Sequence, residues 1–396
     1  MFNKGWLNAL KGNKSNYILT ALSLIIVALI TSQNIYLSDF GFETSMRSFY
    51  NNYLIFKNSS IHLLQNENLY VLYKQQQIDL FKYSPTFALF FTVFAFLPNW
   101  LGLFLWNTLN ALVLYSLSKI PYSRTKSFFW VWLFVIVEFT TNVSSSQSNG
   151  LMAGLIILAY VFLEKKNILL ATLMIVLSVY IKLFGIVAFA LFLFYPDKWK
   201  AALYSLMWTV ILFLLPLIVV SPSDLIWQYQ NWLDLLLVDK TVADSPSLSG
   251  WLDTWFNFKP KGSWIVLVGI IMYLAPLVQF KKYGQDNFKK LILASTLIWV
   301  VLFNHKAESP TFIIAIAGVA IWFFSQPKSW INNILLILAL LLTELSPTDL
   351  FPPFIRQEYF IPYVVKVFPI ILIWLKILYD MFYHTDVTEL KPVPQR

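Results

Sequence analysis

The sequence has no cysteine and little charge, and both features restrict what the protein can be. Among 396 residues there is no Cys, which excludes disulfides, thiolate catalysis and Cys-ligated metal sites. Only three His are present, which argues against a His-built metal centre. Charged residues make up 12% of the chain, about half of the roughly 25% that is usual in soluble domains.

Apolar residues take the place of the missing charge. Hydrophobic residues make up 58% of the chain and aromatic residues 18%. One soluble core could not bury so much apolar surface, so the composition predicts an all-α polytopic membrane protein. The net charge of +9 then reflects a positive-inside bias, and it does not indicate nucleic-acid binding.

Runs of apolar residues predict about twelve transmembrane helices, within a range of ten to thirteen, in one integral domain over residues 1–396. Lys4, Lys11 and Lys14 precede the first run, and no small-residue cleavage site follows it, which predicts a retained span and a cytoplasmic N-terminus. With twelve spans both termini are cytoplasmic. The predicted spans are 16–37, 100–118, 127–143, 149–163, 168–183, 184–195, 200–220, 263–280, 290–303, 310–325, 330–347 and 360–379.

One further apolar run, Ser84–Trp100, is predicted to lie on the outer surface. If it crossed the bilayer, the Lys-bearing links 119–126 and 164–167 could not both be cytoplasmic. Its opening residues Tyr83-Ser84-Pro85 are typical of a turn followed by a helix start, so we expect a juxtamembrane helix over about 84–99. It belongs to an outer first loop over 38–99.

A second large outer loop is predicted over 221–262, and acidic residues concentrate in the outer segments. We therefore expect a catalytic site that faces away from the cytoplasm, in the plasma (inner) membrane.

Two short polar segments could bind a substrate. Lys82 and Tyr83 would lie at the membrane surface beside a lipid head group, or they belong to a turn before an amphipathic helix. Gln147 and Asn149 open the fourth span, where they either cap a helix or donate hydrogen bonds to sugar hydroxyls.

Two ionisable residues fall inside apolar runs, where charge is costly and commonly functional. Lys182, near the outer end of the fifth span, could contact a phosphate group, or its ammonium could reach the interface. Glu138, near the outer end of the third span, either takes part in the site or pairs with a cation such as Lys182.

Carboxylates and one histidine on the outer side could transfer protons. His305 lies on the turn between two spans, which also carries Glu308, and could bind substrate or handle a proton. Asp39 and Glu43 directly follow the first span, and one of them could be a general base, with Asp79 as a third option. Each of these residues could instead be a solvated loop charge.

These segments, in this order, resemble the GT-C superfamily of membrane glycosyltransferases, and in particular glycosyltransferase family 87. Segment 82–90 is similar to the family's Tyr-Pro-Pro surface helix. Residues 147–149 are similar to its Gly-Gln-x-Asn element, with Ser146 in place of Gly. Residues 181–183 are similar to its Ile-Lys-x element, and Ser247-Leu248 to the Ser-Leu of its large outer loop. Asn304-His305 falls where the family has a polar outer turn.

The resemblance implies a GT-C-like fold and a catalytic Asp soon after the first span, in an Asp-aromatic-x-x-aromatic context. Here the best match begins at Asn52, which cannot accept a proton as a base but could position a sugar. Either the register differs, or Asp39, Glu43 or Asp79 takes the role, or the chemistry is altered. From the position of the segment we expect Glu43, then Asp39, to be the base, with His305 assisting.

The resemblance further implies a polyprenyl-phosphate sugar, mannose-like, as the donor and an acceptor hydroxyl on a lipid or glycan, with inversion at the sugar carbon. No cofactor is implied beyond this donor, and the metal dependence is left open. A transporter or flippase would place its polar residues near the bilayer midplane. A polysaccharide polymerase or ligase usually needs Arg or His in a large late loop, and 221–262 has neither.

Overall fold

The computed structural model describes residues 14–39, 49–125, 127–238, 245–259 and 261–383, without the side chains of residues 14, 15 and 39. Over these ranges 78% of the structure is helix and there are no strands, which confirms the all-α prediction. The α-helices are α1 (Lys14–Asp39), α2 (Asn51–Leu64), α3 (Pro85–Ala95), α4 (Asn99–Leu114), α5 (Phe128–Ser144), α6 (Asn149–Glu164), α7 (Ile168–Ile181), α8 (Lys198–Leu214), α9 (Pro222–Val238), α10 (Leu248–Phe256), α11 (Gly262–Leu274), α12 (Asp286–Leu302), α13 (Phe312–Ser325), α14 (Trp330–Leu338), α15 (Pro353–Ile355) and α16 (Phe368–Tyr383).

Three helical segments are long and apolar enough to cross a membrane, namely Asn16–Ser38, Asn99–Lys119 and Lys198–Ile218. A fourth is a pair, Pro353–Phe360 and Val365–Tyr383, bent by 78° at its break. The other predicted spans coincide with shorter apolar helices of 10–17 residues, or with α12. These findings support a helical membrane protein, while the number of twelve spans stays a prediction.

The core lies where three helices are buried around nearly their whole circumference. Almost every side chain of α6, α12 and α13 is buried, and all three are largely apolar apart from the charged first turn of α12. By contrast, α8 and α11 bury only a few residues each. A helix that is apolar all round yet exposed in the isolated chain is expected to face lipid, so α8 and α11 lie at the periphery.

The start of α3 follows its sequence signature. The Ser84 hydroxyl accepts a hydrogen bond from the Phe87 amide at 3.1 Å and Pro85 is the first helical residue, so the predicted turn and helix start are confirmed. The hydroxyl also donates to the Tyr180 carbonyl at 2.5 Å, which ties α3 to the end of α7. With 11 residues, α3 is about 16 Å long, shorter than the roughly 30 Å hydrocarbon core. Its length is consistent with a surface-lying helix.

The two predicted outer loops contain more regular structure than their sequences indicated. The first loop includes α2, and the segment 221–262 includes α9 and α10. One predicted span, 184–195, is a 3₁₀ helix over Leu183–Phe194 directly after α7. These helices place several loop residues against the transmembrane core, next to the cavity described below.

Candidate active site

A cavity of about 260 Å³ lies where six parts of the chain meet. These are the first two turns of α2, the segment before α3, the turn before α6, the segment after α7, the end of α9, and the turn between α12 and α13. Its lining combines three lysines, two carboxylates, polar amides and aromatic rings: Asn52, Ile55, Phe56, Asp79, Leu80, Lys82, Tyr83, Gln147, Lys182, Leu183, Phe184, Leu236, Asn304, Lys306, Glu308 and Thr311. Seven of the predicted site residues therefore come together: Asn52, Asp79, Lys82, Tyr83, Gln147, Lys182 and Glu308.

The turn before α6 is fixed by buried hydrogen bonds. Ser146 has φ 53°, in the left-handed region that favours glycine, which gives a physical reason for the Gly of the family pattern at this position. The Trp106 indole donates to the Ser146 carbonyl at 2.9 Å, and the Asn52 amide donates to the Ser145 carbonyl at 2.9 Å. Asn52 thus supports this turn directly, a task that an ionised Asp could not perform because it has no donor.

Lys182 lies at the end of α7 and points its ammonium at the same turn. Its Nζ donates to Asn149 Oδ1 at 2.8 Å and is 3.4 Å from Gln147 Oε1. The ammonium is 5.6 Å from the centre of the Tyr83 ring and 5.7 Å from that of Phe184, within the range of cation–π attraction. Within the described ranges no carboxylate lies within 4.0 Å of it, so its positive charge is held by neutral groups.

Glu308 completes this hydrogen-bond chain from the other side of the cavity. Its Oε2 accepts a hydrogen bond from Gln147 Nε2 at 2.5 Å, and Gln147 Oε1 in turn accepts from Asn149 at 2.6 Å. Its carboxylate and Thr311 form a reciprocal capping box at the start of the next helix. Glu308 therefore orients Gln147, which in turn faces Lys182.

Asp79 and Lys82 stand at the more open part of the cavity. Asp79 Oδ1 accepts a hydrogen bond from the Leu80 amide at 2.7 Å and lies 3.7 Å from the Lys82 ammonium. The side chains are 60% and 38% exposed, so solvent weakens the ion pair and both groups can contact a substrate.

Tyr83 forms the aromatic wall between these two regions. Its ring packs against Phe56 with the ring centres 4.8 Å apart, and against Phe87 at the same separation. Burial raises the pKa of Tyr83 above its ordinary value, so the phenol stays protonated at neutral pH and can donate a hydrogen bond. It offers an apolar face to a sugar or lipid and a polar tip to an oxygen.

Glu138 lies outside this cavity, and its cationic partner is Lys366 instead of Lys182. Its Oε1 is 2.6 Å from the ammonium of Lys366, with both side chains buried. Lys366 Nζ also donates to the Ser309 hydroxyl at 2.9 Å. The ion pair therefore connects α5 and the C-terminal segment to the turn that carries Glu308, so Glu138 is placed to support the site without lining it.

The remaining predicted residues fall in three different places. Asn149 is fully buried behind Gln147, and reaches the cavity only through Lys182. His305 is an exposed residue of the turn whose neighbours Asn304 and Lys306 line the cavity. Glu43 and the Asp39 side chain lie outside the described residues.

Lys306 and Thr311 also line the cavity and were not predicted from the sequence. A signal was present, because both lie within three residues of Glu308 on the same predicted turn. The predicted Ser247-Leu248 element also borders this turn, since Ser247 caps α10 and Ser245 donates to the Ala307 carbonyl at 2.8 Å. Over the described ranges, no group of three or more His, Asp or Glu side chains is arranged to hold a metal ion.

The cavity is polar, contains three lysines and is formed largely by the turns between the helices. The family model for glycosyltransferase family 87 matches residues 81–347. The match covers most of the chain, including the segment 81–83 and the three turns around Gln147, Lys182 and Glu308, so the chain belongs to glycosyltransferase family 87. Family membership indicates a glycosyltransferase. No curated protein matches the chain.

Proposed function

We propose that the protein transfers a hexose, mannose-like, from a polyprenyl-phosphate donor to an acceptor hydroxyl at this cavity, on the non-cytoplasmic face of the membrane. The observation that carries the proposal is Lys182. It is a cation held by amides at the end of the apolar helix α7, in a cavity that also contains Lys82 and Lys306. Three lysines against two carboxylates favour a substrate that carries negative charge.

A lipid-linked donor fits the position of the cavity better than a nucleotide sugar does. Lys182 follows the apolar helix α7, and the exposed Leu183 comes next to it, so a donor that moves within the bilayer can reach the ammonium from the side. The sequence also has no glycine-rich loop of the kind that holds nucleotide phosphates. The proposed donor therefore brings its phosphate to Lys182 while its polyprenyl chain stays among the helices.

The reaction is a single displacement. The acceptor oxygen forms a bond to the anomeric carbon, while the bond between that carbon and the phosphate oxygen breaks. The electron pair leaves on the phosphate, whose growing charge Lys182 stabilises through a charge-assisted hydrogen bond. Attack opposite the leaving phosphate inverts the configuration at the sugar carbon.

Among the described carboxylates, Asp79 is best placed to accept the acceptor's proton. Glu308 is engaged by Gln147 and Thr311, whereas within the described structure no residue donates a hydrogen bond to Asp79 Oδ2. Glu43 and Asp39 stay proposals for the same role, with His305 assisting. Turnover of Asp79→Asn, Glu43→Gln and Asp39→Asn, with Glu308→Gln as a control for site structure, identifies the base. Loss of about 100-fold or more is expected in the variant that lacks it.

The donor class is tested with purified protein and a panel of polyprenyl-phosphate sugars and nucleotide sugars. We expect release of polyprenyl phosphate and transfer of sugar with the lipid-linked donors only. Transfer from a nucleotide sugar in the absence of lipid phosphate would refute this donor assignment.

A further inference from the structure

A second cavity in the described part of the chain lies at the opposite end of the helices that build the active site. It has a volume of about 750 Å³ and is lined by residues 193–200, 283–284 and Lys289. Helix α6 begins at Asn149 beside the active site and ends 15 residues later at Glu164, about 22 Å away. Glu164 accepts a hydrogen bond from Tyr195 at 2.6 Å, so this cavity is remote from the reaction.

The cavity is basic, and part of its charge is uncompensated. Lys289 pairs with Glu164 at 3.0 Å, and Lys200 with Asp197 at 3.1 Å. Lys198 has no ion pair or hydrogen bond to any described residue, and its side chain is exposed. The loops around the cavity, 164–167, 195–200 and 279–290, contain eight lysines and three acids. A mobile anion would therefore be attracted to this end of the molecule.

An apolar stripe runs from the cavity along α8. It begins at Trp199, which lines the cavity and is 89% exposed. Leu203, Leu206 and Val210 follow at helical spacing, with 64%, 62% and 47% of their surface exposed. Positions i, i+4, i+7 and i+11 share one face of a helix, so the stripe is continuous with the cavity.

We propose that this cavity binds the head group of an anionic phospholipid whose acyl chains lie along the α8 stripe. A phosphodiester would contact Lys198, with Lys200 and Lys289 beside it, and Trp199 would lie at the level of the glycerol backbone. Basic pockets between transmembrane helices commonly bind anionic lipid head groups. A free phosphate would use the lysines but leave the stripe without an occupant. This inference is independent of the proposed glycosyl transfer.

The test titrates delipidated full-length protein in detergent with phosphatidylglycerol, phosphatidylcholine or inorganic phosphate, and counts bound lipid by native mass spectrometry. We expect saturable binding of phosphatidylglycerol, and binding that is at least about tenfold weaker in Lys198→Gln/Lys200→Gln. Leu203→Gln should weaken lipid binding without changing the response to inorganic phosphate. A matched control, Lys74→Gln/Lys261→Gln, removes two exposed lysines elsewhere and should bind as the wild type does.

Several outcomes would overturn the proposal. They are equal binding of phosphatidylcholine, unchanged binding in Lys198→Gln/Lys200→Gln, or an equal loss in the Lys74→Gln/Lys261→Gln control. Displacement of bound phosphatidylglycerol by millimolar inorganic phosphate, with no effect of Leu203→Gln, would show a soluble-anion site instead of a lipid site. Transferase activity is not used as a readout, so failure of this inference is separate from failure of the proposed reaction.

Discussion

Replacing Lys182 with Gln should abolish most of the proposed transferase activity while leaving the fold intact. The ammonium donates to Asn149 Oδ1 at 2.8 Å, and the amide of a Gln at this position keeps a donor for the same oxygen. What the variant loses is the positive charge. It therefore separates the electrostatic role of Lys182 from its structural role.

The magnitude follows from what the charge would do in the transition state. Removing one preorganised donor to a developing oxyanion typically lowers kcat about 100- to 1,000-fold, and Lys182 is the cation of the cavity that is held by neutral amides. Lys182→Met removes the donor as well, which leaves the buried Asn149 oxygen unsatisfied and lowers the free energy of unfolding by about 1–3 kcal/mol. Lys182→Gln should avoid most of that cost.

The assay measures release of polyprenyl phosphate at several donor concentrations, together with thermal unfolding of each variant. We expect a fall mainly in kcat for Lys182→Gln and Lys182→Met, a lowered melting temperature mainly for Lys182→Met, and partial activity for Lys182→Arg. Lys74→Gln, a substitution of an exposed lysine outside the cavity, serves as the matched control. A value of kcat/KM within about threefold of wild type in Lys182→Gln would refute the phosphate role.

Three further predictions concern stability and topology. Ser146→Gly should raise the free energy of unfolding by about 1 kcal/mol, because it removes the strain of a non-glycine residue in the left-handed region and a buried hydroxyl that has no hydrogen-bond partner. An unchanged or lower melting temperature would contradict this. Glu138→Gln or Lys366→Met alone should lower the free energy of unfolding by about 3–5 kcal/mol, because a single change leaves a buried charge unpaired. The double variant should lose much less. Equal losses in the single and double variants would show that the two residues do not form a stabilising ion pair. Since the chain has no native Cys, the single variants Arg124→Cys and Lys166→Cys can be labelled with a thiol reagent to determine the topology. Both should be labelled only from the cytoplasm. Labelling of Arg124→Cys from the outside would refute the surface position of Ser84–Trp100.

The positions of the helices were largely predictable from apolar runs. The predicted spans 100–118, 127–143 and 149–163 begin and end within a few residues of α4, α5 and α6, because Lys-rich links and Pro or Gly residues interrupt the hydrophobic pattern there. By contrast α2, which mixes Asn, Ser and Lys with apolar residues, has no clean amphipathic pattern. Its helix is stabilised by packing against α3, which the local sequence does not reveal.

The cavity was predictable in part. The sequence indicated three of the lining residues, because polar or charged residues beside apolar helices are energetically unfavourable and commonly functional. The structure brings these three together, namely Gln147, Lys182 and Glu308. The pairing of Glu138 with Lys366 spans 228 positions, and nothing in a single sequence indicates which of many lysines lies opposite a buried carboxylate. Likewise, that Asn52 donates to Ser145 follows only from how α2 packs.

Binding of the donor's lipid phosphate in this cavity is tested most directly by photoaffinity labelling of the protein with a polyprenyl phosphate that carries a photoreactive group beside its phosphate. We expect crosslinks to segments 79–83, 147–149, 182–184 and 304–311. Unlabelled polyprenyl-phosphate sugar should compete with them, and Lys182→Gln should reduce them strongly. Labelling that is confined to other parts of the chain, or that Lys182→Gln leaves unchanged, would contradict the claim that this cavity binds the lipid phosphate of the donor.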